Sequence, residues 1–364
     1  MSDPAVPSRA LLLIPGGIAL LAGLDAALLL LGLPAPVTSS RLPSVHGVIL
    51  VLGFVGTLVA LERAVALDRR WGLLAPACLG AGGVLVLTAA PRTVGAALFL
   101  VGTLTLVAVY VPLWRRAGDA AILVQAGGGV LGAGAALLWL ADVPVPWLLP
   151  WLAGFLILTI AGERLELARV ALLDTAAETQ LLAVAGGLVA AVLAALLWPT
   201  VGYPLLGASL LALMFWLWRH DVARRTVRAS GLPRYMAWCL LAGYAWLAVP
   251  ALVWLLTGPV RSGAGYDAVV HALFLGFVIS MIMAHAPVIL PAVIRRPLPY
   301  TPVMYLPAVL LHASLLLRIA VGDARGIEWA VQAGGVLNIV AVLAFAAVAV
   351  LSAVRAATAD EVNA

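Results

Sequence analysis

Apolar segments about twenty residues long and nearly free of charge recur from one end of this chain to the other, and they constrain its fold more than any other feature. In lipid every backbone N–H and C=O must be satisfied internally, so only helices and closed barrels can span a membrane. Barrel strands would alternate apolar and polar residues over short stretches, whereas these runs are continuous. The fold class that follows is all-α, a polytopic membrane protein. Composition agrees: 64% of the 364 residues are hydrophobic, 10% are charged, and mean hydropathy is +1.13, which excludes an ordinary soluble domain.

Proline, glycine and charge punctuate the chain into about 12 transmembrane helices. The expected spans are 10–33, 44–66, 72–90, 93–114, 119–141, 145–167, 179–198, 201–218, 235–257, 266–290, 302–321 and 328–354. They form a single transmembrane domain over residues 1–364. The opening "MSDPAVPSRA" lacks a cleavable signal pattern, so residues 10–33 read as a retained first helix. The chain has no lysine, and its arginines are unevenly placed. With twelve spans, sixteen fall on the N-terminal side and five (Arg41, Arg92, Arg261, Arg318 and Arg325) on the other. Positive loops stay cytoplasmic, which places both termini in the cytoplasm.

A weak repeat runs through the second, sixth and tenth spans. Each carries Gly-Phe, at Gly53, Gly154 and Gly276, followed nine residues after the glycine by Glu62, Glu163 or His285. These are the second helices of three groups of four, 10–114, 119–218 and 235–354, which suggests a pseudo-threefold 4+4+4 bundle.

Ionisable residues inside membrane spans are costly and point to function. His46 precedes its Gly-Phe by seven residues and His271 by five, so the two differ in depth by only about 3 Å. Two histidines at one depth on equivalent helices could be axial ligands of one haem b; alternatively each bonds a neighbouring helix. Asp25 could orient His46, as carboxylates behind metal-bound imidazoles do, or equally be protonated and bonded to backbone. Arg318 is placed to meet a haem propionate or to reach the interface. His285 lies fourteen residues beyond His271, about 40° round the helix and ~21 Å along it. With His312, and Met281 or a carboxylate, it could bind copper; otherwise it caps a helix end or pairs with Glu62 or Glu163. Glu62-Arg63 and Glu163-Arg164 are expected to pair across helices, or the arginine to reach the headgroups, since adjacent helical residues point apart.

His220 sits in "WRHDVARRTVRASGLPRY", an arginine-rich juxtamembrane loop with an attraction for anionic lipid. Neither a nucleic-acid-reading module nor a phosphate loop or nucleophile elbow occurs in a usable setting. Cys78 and Cys239 lie in separate apolar segments and form no CxxC.

The stretch "HALFLGFVISMI" followed by "RRPL" resembles the NnrS family, polytopic membrane proteins containing haem and copper and linked to nitric oxide metabolism. The matching residues are His271, Ala272, Leu273, Gly276, Met281, Ile282, Arg296, Pro297 and Leu298, and "LLLRIA" around Arg318 is similar to that family's next helix. The likeness covers about 50 residues around the tenth span and is loose elsewhere. The Gly-His-Thr-Gly typical of that family is absent, as are the paired histidines of its second helix. A broader likeness is to the haem–copper oxidase catalytic subunit, which "SVHGVILVLGF" resembles, but the adjacent histidines that build the copper centre there are missing. The resemblance implies a haem-binding inner-membrane protein acting in nitric oxide handling or electron transfer, with a periplasmic or membrane electron donor. The alternatives are a haem-free ion or metal transporter or assembly factor using Asp25, Glu62, Glu163 and His285, and a structural subunit of a larger complex.

Overall fold

A computed structural model describes residues 6–169, 175–294 and 297–362. All regular structure among the described residues is helical. Eleven helices are long and apolar enough to cross a membrane: α1 (Arg9–Leu30), α2 (Arg41–Leu67), α4 (Arg92–Ala117), α5 (Ala120–Leu140), α6 (Val145–Leu167), α7 (Thr175–Leu197), α8 (Pro199–His220), α9 (Gly231–Thr257), α10 (Gly263–Val293), α11 (Pro302–Asp323) and α12 (Glu328–Ala356). The third expected span is a shorter helix, α3 (Leu74–Leu85), entered through a 3₁₀ turn at Arg70–Leu73. The protein is a multi-pass α-helical membrane protein. Its helices turn large apolar side chains such as Leu256, Leu306 and Phe215 outward, at 77%, 69% and 64% exposure, a surface suited to lipid and not to water.

The chain divides into two compact units, Met1–Glu163 and Arg164–Ala364. In the first, polar contacts between helix ends show the up-and-down order. Arg9 pairs with Asp68 at 3.5 Å, and Arg116 Nη2 donates to the Leu67 carbonyl at 3.4 Å, so the start of α1 and the ends of α2 and α4 share one level. At the other level Arg41 donates to the carbonyls of Thr88 and Ala90, and Arg92 pairs with Asp142. Between these levels α1, α2 and α3 meet on small residues. A Cβ on Gly53 would stand 3.2 Å from Gly83 Cα and 3.2 Å from Ala19 Cβ, the close backbone approach that membrane helices use in place of a hydrophobic drive.

In the second unit α7 and α8 form a tight hairpin, with Gly202 against the backbone of Ala194 and Ala195. Here α11 packs on α12, where Asn338 Nδ2 donates to Ser314 Oγ at 2.6 Å.

Among the described residues three helices carry π-helical stretches: Ile49–Val55 in α2, Ala272–Ile279 in α10 and Leu317–Asp323 in α11. The first two contain the Gly-Phe pairs of the repeat, while Gly154-Phe155 lies in regular α-helix. The kinship of the second and tenth spans thus extends to their backbone. The π stretch also changes the relation of His271 to His285. Winding i→i+5 places one extra residue in a turn, about 100° of rotation, so fourteen residues no longer return to nearly the same face.

Candidate functional site

His271 closes the regular α-helical part of α10, immediately before its π stretch. Its Nδ1 meets two acceptors one helical turn back: the carbonyl of Asp267 at 2.8 Å and Asp267 Oδ1 at 3.3 Å. Only a donor suits both, so in the neutral ring Nδ1 carries the proton and Nε2 the lone pair. Asp267 is itself held by Arg318, the second residue of the π stretch in α11. Arg318 Nε donates to Oδ2 and Nη2 to Oδ1, both at 2.8 Å, the two-toothed geometry that guanidinium and carboxylate favour. The carboxylate in the fork of Arg318 therefore belongs to the protein itself. Beside Asp267, at the ends of α10, α11 and α12, opens a cavity of about 420 Å³ lined by Gly263, Tyr266, Asp323 and Glu328 among others.

In the first unit His46 precedes the π stretch of α2 by three residues. Its Nδ1 donates to the Gly23 carbonyl of α1 at 2.9 Å, which gives the same tautomer as His271. Gly23 lets α1 come this close, because a Cβ there would lie 2.4 Å from Leu50 Cδ2. Of the two roles open to Asp25, the structure shows the bond to backbone. Its Oδ1 accepts the backbone N–H of Val37 at 3.1 Å, fastening the loop after α1, and a backbone carbonyl half a turn away does the orienting.

His285 belongs to a different cluster. Arg164 donates through Nε and Nη2 to Asp221 at 2.7 and 2.8 Å, and through Nη1 to His285 Nε2 at 3.0 Å. The Tyr244 hydroxyl donates to Asp221 Oδ2 at 2.7 Å, and His285 Nδ1 donates to the Met281 carbonyl at 2.8 Å. The side chains of Arg164 and Asp221 are only 3% and 1% exposed, so each charge relies on this network for its solvation. Both nitrogens of His285 are engaged. His312 has the opposite tautomer: its Nδ1 accepts from Trp246 Nε1 at 2.9 Å, leaving Nε2 as a buried N–H with no acceptor among the described residues. As arranged, neither offers a lone pair to copper. Among the described residues no three His, Cys, Asp or Glu side chains are grouped to hold a metal ion; an imidazole that ligates haem iron needs no such group.

Arg164 and Arg63 both reach across helices, as expected of the glutamate–arginine pairs, but Arg63 also bonds its own neighbour. Its long arm folds back to bond its neighbour Glu62 as well as Gln125 Oε1 at 3.1 Å. His220 bonds the Trp216 carbonyl at 3.1 Å and lies against that ring. Arg295 and Arg296 lie outside the described residues.

Sequence reasoning passed over Asp267, Asp221 and Tyr244. Asp267 had a usable signal: it stands four residues before His271 and so shares its helical face. Asp221 and Tyr244 had none, since their meeting with Arg164 depends on tertiary packing.

The fold and these buried polar clusters define a multi-pass helical membrane protein with histidines oriented by hydrogen bonds. The chain belongs to the family described as domain of unknown function DUF8744, which it matches over residues 9–354. No curated protein and no solved structure matches it.

Proposed function

We propose that this protein is an NnrS-like haem-binding protein of the bacterial inner membrane, with both termini cytoplasmic. His271 and His46 would hold one b-type haem. The observation that carries the reading is the state of His271: Nδ1–H is tied to Asp267, Asp267 is locked by Arg318, and Nε2 makes no hydrogen bond among the described residues. This carboxylate–histidine arrangement fixes ring orientation and raises the basicity of the ligating nitrogen. His46 supports it with the same tautomer, and π-helical turns, which are frequent at functional sites, adjoin His46 and His271 and include Arg318.

Bound haem would supply one-electron chemistry, or a site for nitric oxide if one histidine left the iron; the link to nitric oxide rests on the family resemblance. In either case Asp267 aims the His271 ring, Arg318 keeps Asp267 in place, and the Gly23 carbonyl aims His46. Electrons would come from a periplasmic or membrane partner.

The test is a visible spectrum of the purified protein, oxidised and dithionite-reduced, after expression with ample haem. A Soret band altered by His271→Ala and by His46→Ala, and unchanged by His220→Ala, is the expected result. A missing band in the wild type would sink the reading. It would favour a haem-free ion path, which the carboxylate-lined cavity beside Asp267 would then serve.

A further inference from the structure

The segment joining α8 to α9 has two chemically opposite faces. Inward, its one carboxylate, Asp221, is consumed by Arg164, Tyr244 and the backbone N–H of Ala223, the last at 2.7 Å. Outward stand Arg219, Arg224, Arg225, Arg228 and Arg234, all exposed. Among the described residues none of the five makes an ion pair; their only side-chain hydrogen bond runs from Arg224 Nη1 to the Arg219 carbonyl at 3.4 Å. Three guanidiniums thus sit on a segment pinned to the protein by its own aspartate, flanked by Arg219 of α8 and Arg234 of α9, with no carboxylate paired to them among the described residues. Two exposed aromatic side chains in the last turns of α8, Phe215 and Trp218, stand beside them, as expected where hydrocarbon gives way to headgroups.

We propose that this arginine face is a binding site for anionic glycerophospholipid, whose headgroup phosphodiesters pair with Arg224, Arg225 and Arg228. Guanidinium matches phosphate oxygens in a two-toothed geometry. The neighbouring apolar surface of α8 places the charges where a lipid of the same leaflet presents its phosphate. Because Asp221 ties the segment to Arg164, Tyr244 and, through Arg164, to His285, lipid bound outside also braces the buried network inside. The inference is independent of haem.

The experiment compares full-length wild type with the Arg224→Gln/Arg225→Gln/Arg228→Gln variant, each equilibrated with equal phosphatidylcholine and phosphatidylglycerol. Retained lipid is measured by mass spectrometry, and melting temperature in nanodiscs with and without phosphatidylglycerol. Each arginine near a surface adds about fivefold to affinity for anionic lipid, so affinity for phosphatidylglycerol, read as its retention, should fall on the order of a hundredfold in the triple variant. The rise in melting temperature that phosphatidylglycerol gives the wild type should shrink with it. Equal retention by variant and wild type would overturn the proposal. So would inorganic phosphate reproducing the stabilisation in phosphatidylcholine alone, since the ligand would then be a free anion. If the triple variant does not fold, Arg224→Gln and Arg228→Gln singly carry the test, each expected to lose about fivefold.

Discussion

At the residue scale, the membrane histidines are distinguished by what their ring nitrogens face. His46 and His271 each point Nδ1–H at a carbonyl, His285 spends both nitrogens, and His312 accepts from a tryptophan. The positions of His46 and His271 were legible in the sequence because histidine is rare in apolar runs. The partner of His46 was not, because a backbone carbonyl on another helix leaves no mark in residue type, whereas Asp267 stands one helical turn before His271. On the proposed function, Asp267→Asn should lower haem affinity by about 10–100-fold, the usual cost of removing a carboxylate behind a ligating histidine, and haem titration of the apoprotein measures it. Haem affinity unchanged by Asp267→Asn would remove the main support for His271 as a ligand. In the buried cluster, Asp221→Ala leaves Arg164 charged and unpaired in the interior. It should cost about 3–5 kcal/mol of stability, read from denaturant unfolding in detergent micelles. Tyr244→Phe removes one hydrogen bond to a charged group and should cost about 2 kcal/mol.

At the element scale, hydropathy located the helices well and missed their internal winding. A π turn has the same composition as the α-helix around it, so Ile49–Val55, Ala272–Ile279 and Leu317–Asp323 carry no pattern a sequence window could separate. The Gly-Phe pairs were visible, but their coincidence with two of these turns depends on packing. Gly276 shows how. In the π stretch of α10 it faces Trp246 of α9, and a Cβ added there would stand 2.4 Å from Trp246 Cγ. Gly276→Ala must push the indole aside. The same indole donates to His312, so the strain should pass to that bond. We expect a loss of about 1–3 kcal/mol, the range for overpacking a filled core, with altered tryptophan fluorescence. Trp246→Ala in the Gly276→Ala background opens the space again, and recovery of part of the loss would tie the defect to this contact.

At the scale of the whole molecule, the deciding element is the shortest. Helix α3 has 12 residues, too few by length for a full crossing, and the contacts around it still argue that it crosses. Its approach follows the end of α2 at Leu67, whereas the turn after it is clasped by Arg41 at the start of α2. The segment therefore travels the depth of α2 in reverse. The 3₁₀ turn at Arg70–Leu73 and the helix together rise about 26 Å, close to the hydrocarbon thickness. Arginine distribution gives an independent reason. If α3 stayed on one side, every later loop would change side. Arg92, Arg261, Arg318 and Arg325 would join Arg9, Arg63, Arg69 and Arg70, and the sixteen-to-five bias would become eight against thirteen. A bias that strong is what orients membrane proteins, so a crossing α3 is the arrangement the positive charges support. The prediction is that cysteines at Ser40→Cys and Ala90→Cys react with a membrane-impermeant maleimide from the same side of oriented vesicles, and Asp68→Cys from the opposite side. Cys78 and Cys239 are buried and should add little background. Reaction of Asp68→Cys and Ala90→Cys from one side would mean that α3 returns without crossing, and the placement of both termini in the cytoplasm would fall with it.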